Sequence, residues 1–194
     1  DSEYFTRIAS HPAGGAVAGG YDEAQSQSVA WVVRLEDSGD VAWTARLFDE
    51  VASWVSQLAV WGDGAVLAAG NSREGEINTA WAGALDPNGL PLWTLTFDTP
   101  SSVGVVPMPD GSAIVETMDY EGVQTLNWIT SEGTVSASSP RPDGFSQASM
   151  AVSGQRLLLM SWSTVAWDGS DWTEVDPTTL EIDFFVRRRP SYRY

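Results

Sequence analysis

The chain contains no cysteine and no lysine, and His11 is the single histidine among its 194 residues. The lack of cysteine excludes disulfides, thiolate metal sites and thiol nucleophiles. A lone imidazole makes neither a zinc site nor a catalytic triad. No apolar run reaches the roughly 18 residues of a membrane-spanning helix. We therefore expect no metal, no cofactor and no membrane insertion.

Positive charge is scarce and unevenly placed. Ten Arg stand against 26 acidic residues, which gives a net charge of -16. A chain this acidic lacks the cationic footprint that binding to nucleic acid or to an anionic membrane requires. All the acidic residues precede residue 187, whereas four Arg fall within residues 187–194: Arg187, Arg188, Arg189 and Arg193. This tail is either a solvated terminus or a segment that docks on an acidic face of its own chain or of a neighbour.

An internal repeat organises the rest of the sequence. A shift of about fifty residues places the first quarter of the chain on the second without a gap, and a period near fifty is that of a four-stranded propeller blade. The matched pairs include Gly14 and Gly64, Trp31 and Trp81, Gly39 and Gly89, and Trp43 and Trp93. Weaker copies follow, so we divide a single domain, 1–186, into units 3–50, 51–99, 100–144 and 145–186.

Within each unit, apolar and small or polar residues alternate with a period of two, as in Trp93, Leu95 and Phe97 against Thr94 and Thr96. That period and the Asn-, Asp- and Gly-rich connectors predict antiparallel strands joined by tight hairpins. No long stretch has a helical period. The predicted fold is an all-β propeller of four four-stranded antiparallel blades, closed within the chain. The alternative is half of a larger propeller that a second copy completes.

Two motifs carry a family resemblance. The segments LEDSGDVAWT at 35–44 and LDPNGLPLWT at 85–94 each end a strand, turn through a glycine and continue to a Trp. They resemble bacterial propeller repeats of the pyrroloquinoline-quinone type and related secreted repeats. The resemblance covers residues 5–99 and implies a fold rather than a ligand. It implies that Trp43 and Trp93 lock neighbouring blades, with Ala137 as the counterpart in the third unit.

The ten Trp residues separate into two groups. Those in register with the repeat, Trp31 and Trp81 among them, are expected to pack in the core. Others break the register and lie near acids, a composition typical of sugar platforms as well as of wedges between blades. The candidate ligand-binding residues are Trp162, Trp167, Asp168, Asp171 and Trp172. No catalytic residue is assigned, since these acids are also common turn formers.

The sequence favours a non-catalytic extracellular recognition or assembly module that presents propeller loops to a protein or glycan partner. Self-association is a further expectation because of the Arg-rich tail. A carbohydrate-active hydrolase that uses the acidic loops is the alternative. The chain begins at Asp1 with neither an initiator Met nor a signal sequence, so we expect a processed product in an extracellular or periplasmic location.

Overall fold

The computed structural model describes residues 2–24, 27–48, 51–142, 149–160, 164–167, 172–174 and 184–186. These residues form strands, turns and bends and contain no helix. Accordingly, no helix that is long and apolar enough to cross a bilayer occurs among them.

The strands form four antiparallel sheets. Sheet 1 comprises β1 (Ser2–Ser10), β2 (Ala16–Ala24), β3 (Gln27–Leu35) and β4 (Val41–Leu47). Sheet 2 comprises β5 (Ala52–Val60), β6 (Val66–Glu74), β7 (Ile77–Leu85) and β8 (Pro91–Phe97). Sheet 3 comprises β9 (Ser101–Pro107), β10 (Ala113–Met118), β11 (Gln124–Ile129) and β12 (Val135–Pro140). In each of them the strands pair in chain order.

Sheet 4 departs from the expected four strands. It comprises β13 (Ser149–Ser153), β14 (Arg156–Met160), β15 (Thr164–Trp167), β16 (Trp172–Glu174) and β17 (Phe184–Val186). The last strand, β17, pairs with β13 at the edge where the other sheets end in their first strand. In the repeat, residues 172–177 match the third-strand residues 82–87, which predicts a third strand there; for Trp172–Glu174 this prediction is wrong. The pairing of Ala166 with Thr173 places β15 third and β16 fourth.

Seven of the described turns have one geometry. The first residue donates its N–H to the carbonyl of the fifth, and a glycine N–H at the fourth position donates back to the first. These glycines have φ between +81° and +93°, a left-handed conformation that costs an L side chain energy. The repeated glycine at the fourth position therefore follows from the turn.

The sheets pack face to face in chain order. We call the face of a sheet that meets the preceding sheet its front and the opposite face its back. Alternating side chains from the back of one sheet and the front of the next form three separate apolar cores, centred on Val32 with Trp81, on Leu67 with Val115, and on Ile114 with Leu159. Each core fills one junction between consecutive sheets.

The expected closure within the chain is not seen in the described residues. Sheet 4 has no strand pairing with sheet 1, and the described cores join only sheet 1 to 2, 2 to 3 and 3 to 4. The structure therefore shows an all-β chain of four antiparallel sheets packed in series.

The third junction contains a buried ion pair. Arg141, which follows β12, donates to the Glu116 carboxylate, and both side chains are almost fully buried. The register places Glu116 at the position of Ala69 in sheet 2. A carboxylate is tolerated there because a guanidinium neutralises it. This junction is thus chemically distinct from the two before it.

Candidate docking face on sheet 1

In each of the first two junctions, a tryptophan from the fourth strand of one sheet contacts the next sheet. Trp43 donates its indole N–H to the Pro87 carbonyl at 2.9 Å, and its ring lies where a side chain at Gly89 would be, 2.6 Å from an ideal Cβ. Trp93 lies in the same way against Gly133, at 2.5 Å. The turn glycine of the following sheet therefore leaves space that the indole fills, and we call this space the indole seat of that sheet. These contacts match the inter-sheet role that the resemblance implied for both residues.

A hydroxyl in the first strand makes a second link. Thr6 lies in a β-bulge of β1 and donates to the Val55 carbonyl of the next sheet at 2.5 Å. Ser56 lies in the equivalent bulge of β5, with its Oγ 3.0 Å from the Ser102 Oγ of sheet 3. The bulge turns the hydroxyl towards the following sheet. The link is a repeated feature with a period of fifty residues.

A side chain of the first turn makes a third link. The His11 Nε2 lies 3.3 Å from the Gly64 carbonyl, and Trp61 donates its indole N–H to the Ser112 carbonyl at 3.2 Å. Burial of the imidazole, reinforced by the charge of Arg34, lowers the pKa of His11, and the contact with Gly64 acts in the opposite direction. A neutral ring is therefore favoured at this junction.

All three links are replaced in the third junction. The positions of the hydroxyl, the N–H group and the indole are occupied by Val103, Met108 and Ala137. Trp128, the cross-strand neighbour of Ala137, packs against this core instead. In the third junction the indole is therefore on the third strand rather than the fourth, and Met108 is buried in the same core.

None of the three apolar cores of the described residues includes the front of sheet 1, and this face carries exposed apolar side chains. Phe5 is 55% exposed and Ile8 is 72% exposed. Trp31 is half-buried and its ring lies 5.1 Å from that of Phe5. Ala18 and Val33, at the centre of the face, are buried. We call these five residues the sheet 1 front face.

Sheet 1 also has a turn glycine at the position that receives the indole in sheets 2 and 3. Gly39 occupies the turn position of Gly89 and Gly133, with φ of +88°. Among the described residues, no atom lies within 4 Å of an ideal Cβ at Gly39. The indole seat of sheet 1 is therefore open in the described structure, whereas those of sheets 2 and 3 are filled.

Charged groups border this face. Arg46 donates to the Asp22 carboxylate at 2.5 Å, beside Trp31 in the register. Glu3 and Glu23 are exposed at the end of the sheet where β1 begins. The sheet 1 front face thus combines an apolar surface with an acidic border.

Of the ligand-binding and docking residues chosen from the sequence, the structure describes only Trp167 and Trp172. Trp167 and Trp172 are direct cross-strand partners at the hairpin end of β15 and β16, so the structure brings these two positions together. Trp162, Asp168 and Asp171 lie outside the described residues, and so does the whole tail with Arg187, Arg188, Arg189 and Arg193. The repeat alone did not indicate this face, because Phe5 and Ile8 align with Val55 and Leu58, which pack in the first core of the second unit.

Two other features show no site chemistry. A shallow cavity of about 360 Å³ lies beside Trp128, but the Asp110 carboxylate on its wall already accepts the N–H and hydroxyl of Ser112. Asp86 is similarly occupied by its own turn: hydrogen bonds from backbone N–H groups, that of Leu90 first, lower its pKa. In the described part of the chain, no three His, Cys, Asp or Glu side chains converge as metal ligands would.

Comparisons with known proteins give no family. No protein-family model and no curated protein sequence match the chain, so the likeness to quinone-type repeats remains a resemblance. Among solved structures, 37 chains match. One is a crystal structure of Sqt1 from Chaetomium thermophilum, with 16% identity over 84% of this chain and a TM-score of 0.49. This chain spans 42% of the Sqt1 chain.

Proposed function

We propose that the chain is a non-catalytic assembly module, a segment of β-propeller that docks a partner protein on the sheet 1 front face. The observation that supports it is the contrast between equivalent positions. Val55 and Trp81 on the front of sheet 2 are completely buried, whereas Phe5 and Trp31 on sheet 1 are exposed or half-buried. The proposed partner buries this face as sheet 1 buries the front of sheet 2.

The propeller arrangement is part of the proposal. In sheets 2 and 3 the first strand packs across the preceding sheet: β5 packs on β1, β2 and β3, and β9 packs on β5, β6 and β7. In sheet 4, β17 and β13 both contact β9. In a propeller, four-stranded antiparallel blades pack radially in this serial way. The sheets correspond to blades, and the front of sheet 1 is the open side of an incomplete ring.

The shape and chemistry of the face favour a protein partner. Contiguous exposed apolar surface on a soluble protein commonly marks a protein interaction site. Phe5, Ile8 and Trp31 lie on a pleated surface rather than in a cleft, and small ligands prefer concave sites. The Phe5 carbonyl occupies the position of the Val55 carbonyl, which accepts the Thr6 hydroxyl, whereas the Gly14 carbonyl already accepts a hydrogen bond from Arg34.

An environment-sensitive dye tests the proposal. The parent, diluted so far that it is monomeric, should bind 8-anilinonaphthalene-1-sulfonate, and a Phe5→Ser and Ile8→Ser double variant should lose most of that fluorescence without a change in melting temperature. The matched control is Ile77→Ser with Tyr120→Ser, since these side chains are 66% and 78% exposed outside the face. Equal losses in the two double variants would refute the docking face.

A second candidate function is carbohydrate binding at the end of sheet 4. The supporting observation is the cross-strand pairing of Trp167 with Trp172, which places two indole-bearing positions at one hairpin. Aromatic rings and neighbouring acids are the groups that bind sugar rings. A thermal-shift screen with simple sugars tests binding, with Trp167→Ala as the variant that should lose the shift. Turnover of chromogenic glycosides would instead indicate the hydrolase.

A further inference from the structure

We propose that His11 makes the junction between sheets 1 and 2 sensitive to acid, because protonation of its imidazole breaks the contact that holds the first turn against sheet 2. This inference does not depend on the docking role proposed above. The contact joins the His11 Nε2 to the Gly64 carbonyl at 3.3 Å. The ring also packs directly on Gly64, with Nε2 2.9 Å from an ideal Cβ there. Movement of the imidazole therefore loosens the junction.

The hydrogen bonds of the ring determine which nitrogen carries the proton in its neutral form. Its Nδ1 lies 3.2 Å from the backbone nitrogen of Ala13, whose N–H can only donate. Nδ1 is therefore the acceptor, and the single proton of the neutral ring is on Nε2, from which it is donated to the Gly64 carbonyl. One orientation of the ring thus serves both the turn of sheet 1 and the contact with sheet 2.

Protonation is incompatible with this arrangement. An imidazolium carries a proton on each nitrogen, so Nδ1 no longer accepts and its N–H meets the N–H of Ala13. The turn must then change its backbone, or the ring must rotate. Because Nε2 belongs to the same ring, a rotation that relieves Nδ1 also moves Nε2 away from the Gly64 carbonyl. Acid therefore weakens the link to sheet 2.

A buried arginine makes a second positive charge unfavourable here. Arg34 on β3 is 7% exposed, and its Nη2 donates at 2.5 Å to the Gly14 carbonyl, in the turn that His11 begins. Its Nη1 is buried and has no hydrogen-bond partner among the described residues. Burial of the imidazole and then the charge of Arg34 lower the pKa of His11, and together they outweigh the opposite effect of the Gly64 contact.

The acids of the neighbouring turns do not offset these charges. Asp37, in the β3–β4 turn, and Asp63, in the β5–β6 turn, each already accept a backbone N–H, at 2.5 and 3.0 Å. The two ion pairs of the described residues involve neither His11 nor Arg34. A proton on His11 therefore places a second cation beside Arg34, without an ion-pair partner in the part of the chain that the structure describes.

The second junction has the same link without a titratable group. Trp61 takes the place of His11, and its indole N–H donates to the Ser112 carbonyl at 3.2 Å. Ala84, which is buried, takes the place of Arg34. The repeat therefore forms this link with neither a histidine nor an arginine, and the second junction is an internal control for the first.

Nitrogen-15 NMR of the parent tests the state of the ring. At about pH 7.5 the imidazole should be the Nε2–H tautomer. On acidification the amide signals of Ala13 and Ala65, which follows the Gly64 carbonyl, should move with the midpoint of the ring, and that midpoint should lie below the ordinary histidine value of about 6.5. An Nδ1–H tautomer, or a ring that titrates while the Ala13 amide stays in place, would overturn the proposal.

Amide hydrogen exchange tests the loosening of the junction. Protection factors, which remove the intrinsic effect of pH, should fall about fivefold in the first turn and in β5 between about pH 7.5 and about pH 5, the order expected when one hydrogen bond is lost. The turn at Trp61 and β9 should keep their protection. His11→Gln should abolish the fall. An equal fall at both junctions, or in His11→Gln, would assign the effect to carboxylates and refute the proposal.

Two arginine variants test the charge beside the ring. Arg34→Met should raise the midpoint of the His11 titration towards about 6.5. The control, Arg46→Met, removes the same charge from the opposite face of sheet 1, where Arg46 pairs with Asp22. Equal changes of the midpoint in both variants would show an effect of net charge alone and would contradict the role of Arg34. The NMR measurement on the parent decides the case if Arg34→Met does not fold.

Discussion

The fronts of sheets 1 and 2 are built from matching positions of one repeat, yet only one of them is a core. Trp81 is completely buried on sheet 2, and its ring centroid lies 4.9 Å from that of Phe48. Trp31, fifty residues earlier, is half-buried beside the exposed Phe5. The repeat determines the strand, the register and the direction of each side chain. Burial differs because the front of sheet 2 packs on sheet 1, whereas none of the cores in the described residues includes the front of sheet 1.

The third junction shows that sheets can pack together without these links. Sheets 3 and 4 pack together although the hydroxyl, N–H and indole links are replaced by Val103, Met108 and Ala137. An apolar core and the Glu116–Arg141 pair hold this junction instead. The hydrogen-bonded and indole links are therefore not required at every junction. The front of sheet 1 nevertheless has the open turn at Gly39, at the position that receives an indole in sheets 2 and 3.

The largest expected effect compares the two equivalent indoles. Trp81→Ala should lower the free energy of unfolding by about 3 to 5 kcal/mol, because it leaves a large cavity in a closed core. Trp31→Ala should lower it by about 1 kcal/mol or less in the monomer, as for partly exposed positions. Urea unfolding of dilute protein measures both. Similar losses in the two variants would show that the front of sheet 1 is as closed as that of sheet 2.

The indoles of the fourth strands should have the next largest effect. Trp43→Ala and Trp93→Ala should each cost about 2 to 3 kcal/mol, less than a fully buried ring because both are half-buried. Each leaves a glycine seat open in the following sheet. Chemical denaturation followed by far-ultraviolet circular dichroism gives the values. Melting temperatures within a degree or two of the parent would show that the seats do not hold the junctions.

The bulge hydroxyl gives a smaller effect. Thr6→Val keeps the shape of the side chain but removes the hydrogen bond to the Val55 carbonyl, at a cost of about 1 kcal/mol. Thr94→Val serves as the control, because Thr94 is an exposed threonine on β8. If the control destabilises the protein as much as Thr6→Val, the effect belongs to strand propensity and not to the junction.

The smallest expected effect is the pH dependence from His11. Its pKa is lowered in the folded chain, so the unfolded chain takes up the proton more readily. Stability should be unaffected above the ordinary histidine pKa and should fall as the pH drops below about 6.5 towards the lower folded value. Unfolding at pH 7.5 and 5.5, in the parent and in His11→Gln, isolates this contribution because there is no other histidine. If His11→Gln loses as much stability between pH 7.5 and 5.5 as the parent does, the pH dependence belongs to carboxylates and not to His11.

The sequence was sufficient to predict the strands and most of the sheets. The period of fifty and the turn glycines specify hairpins locally, and the structure confirms four antiparallel sheets without a helix in the described residues. The fourth sheet was harder, because its unit has no Trp in the repeat position and its third strand was assigned to 172–177. Pairing of β17 with β13 joins residues far apart in sequence, which local patterns do not encode.

The candidate face could be read only with both the repeat and the structure. Phe5 and Ile8 look like core positions in the sequence, since their counterparts Val55 and Leu58 are core residues. Their exposure depends on which sheet precedes them in space. The Glu116–Arg141 pair was equally hidden, because a single Glu among 26 acidic residues carries no sign of burial.

Fluorine NMR of protein labelled with 5-fluorotryptophan tests the central claim, the openness of the sheet 1 front face, most directly. Trp31→Phe and Trp81→Phe assign the two resonances. In dilute monomer, exchange of H₂O for D₂O should shift the Trp31 signal and leave the Trp81 signal unchanged, since only the first ring meets solvent. A Trp31 signal as insensitive to the solvent as that of Trp81 would contradict the open face.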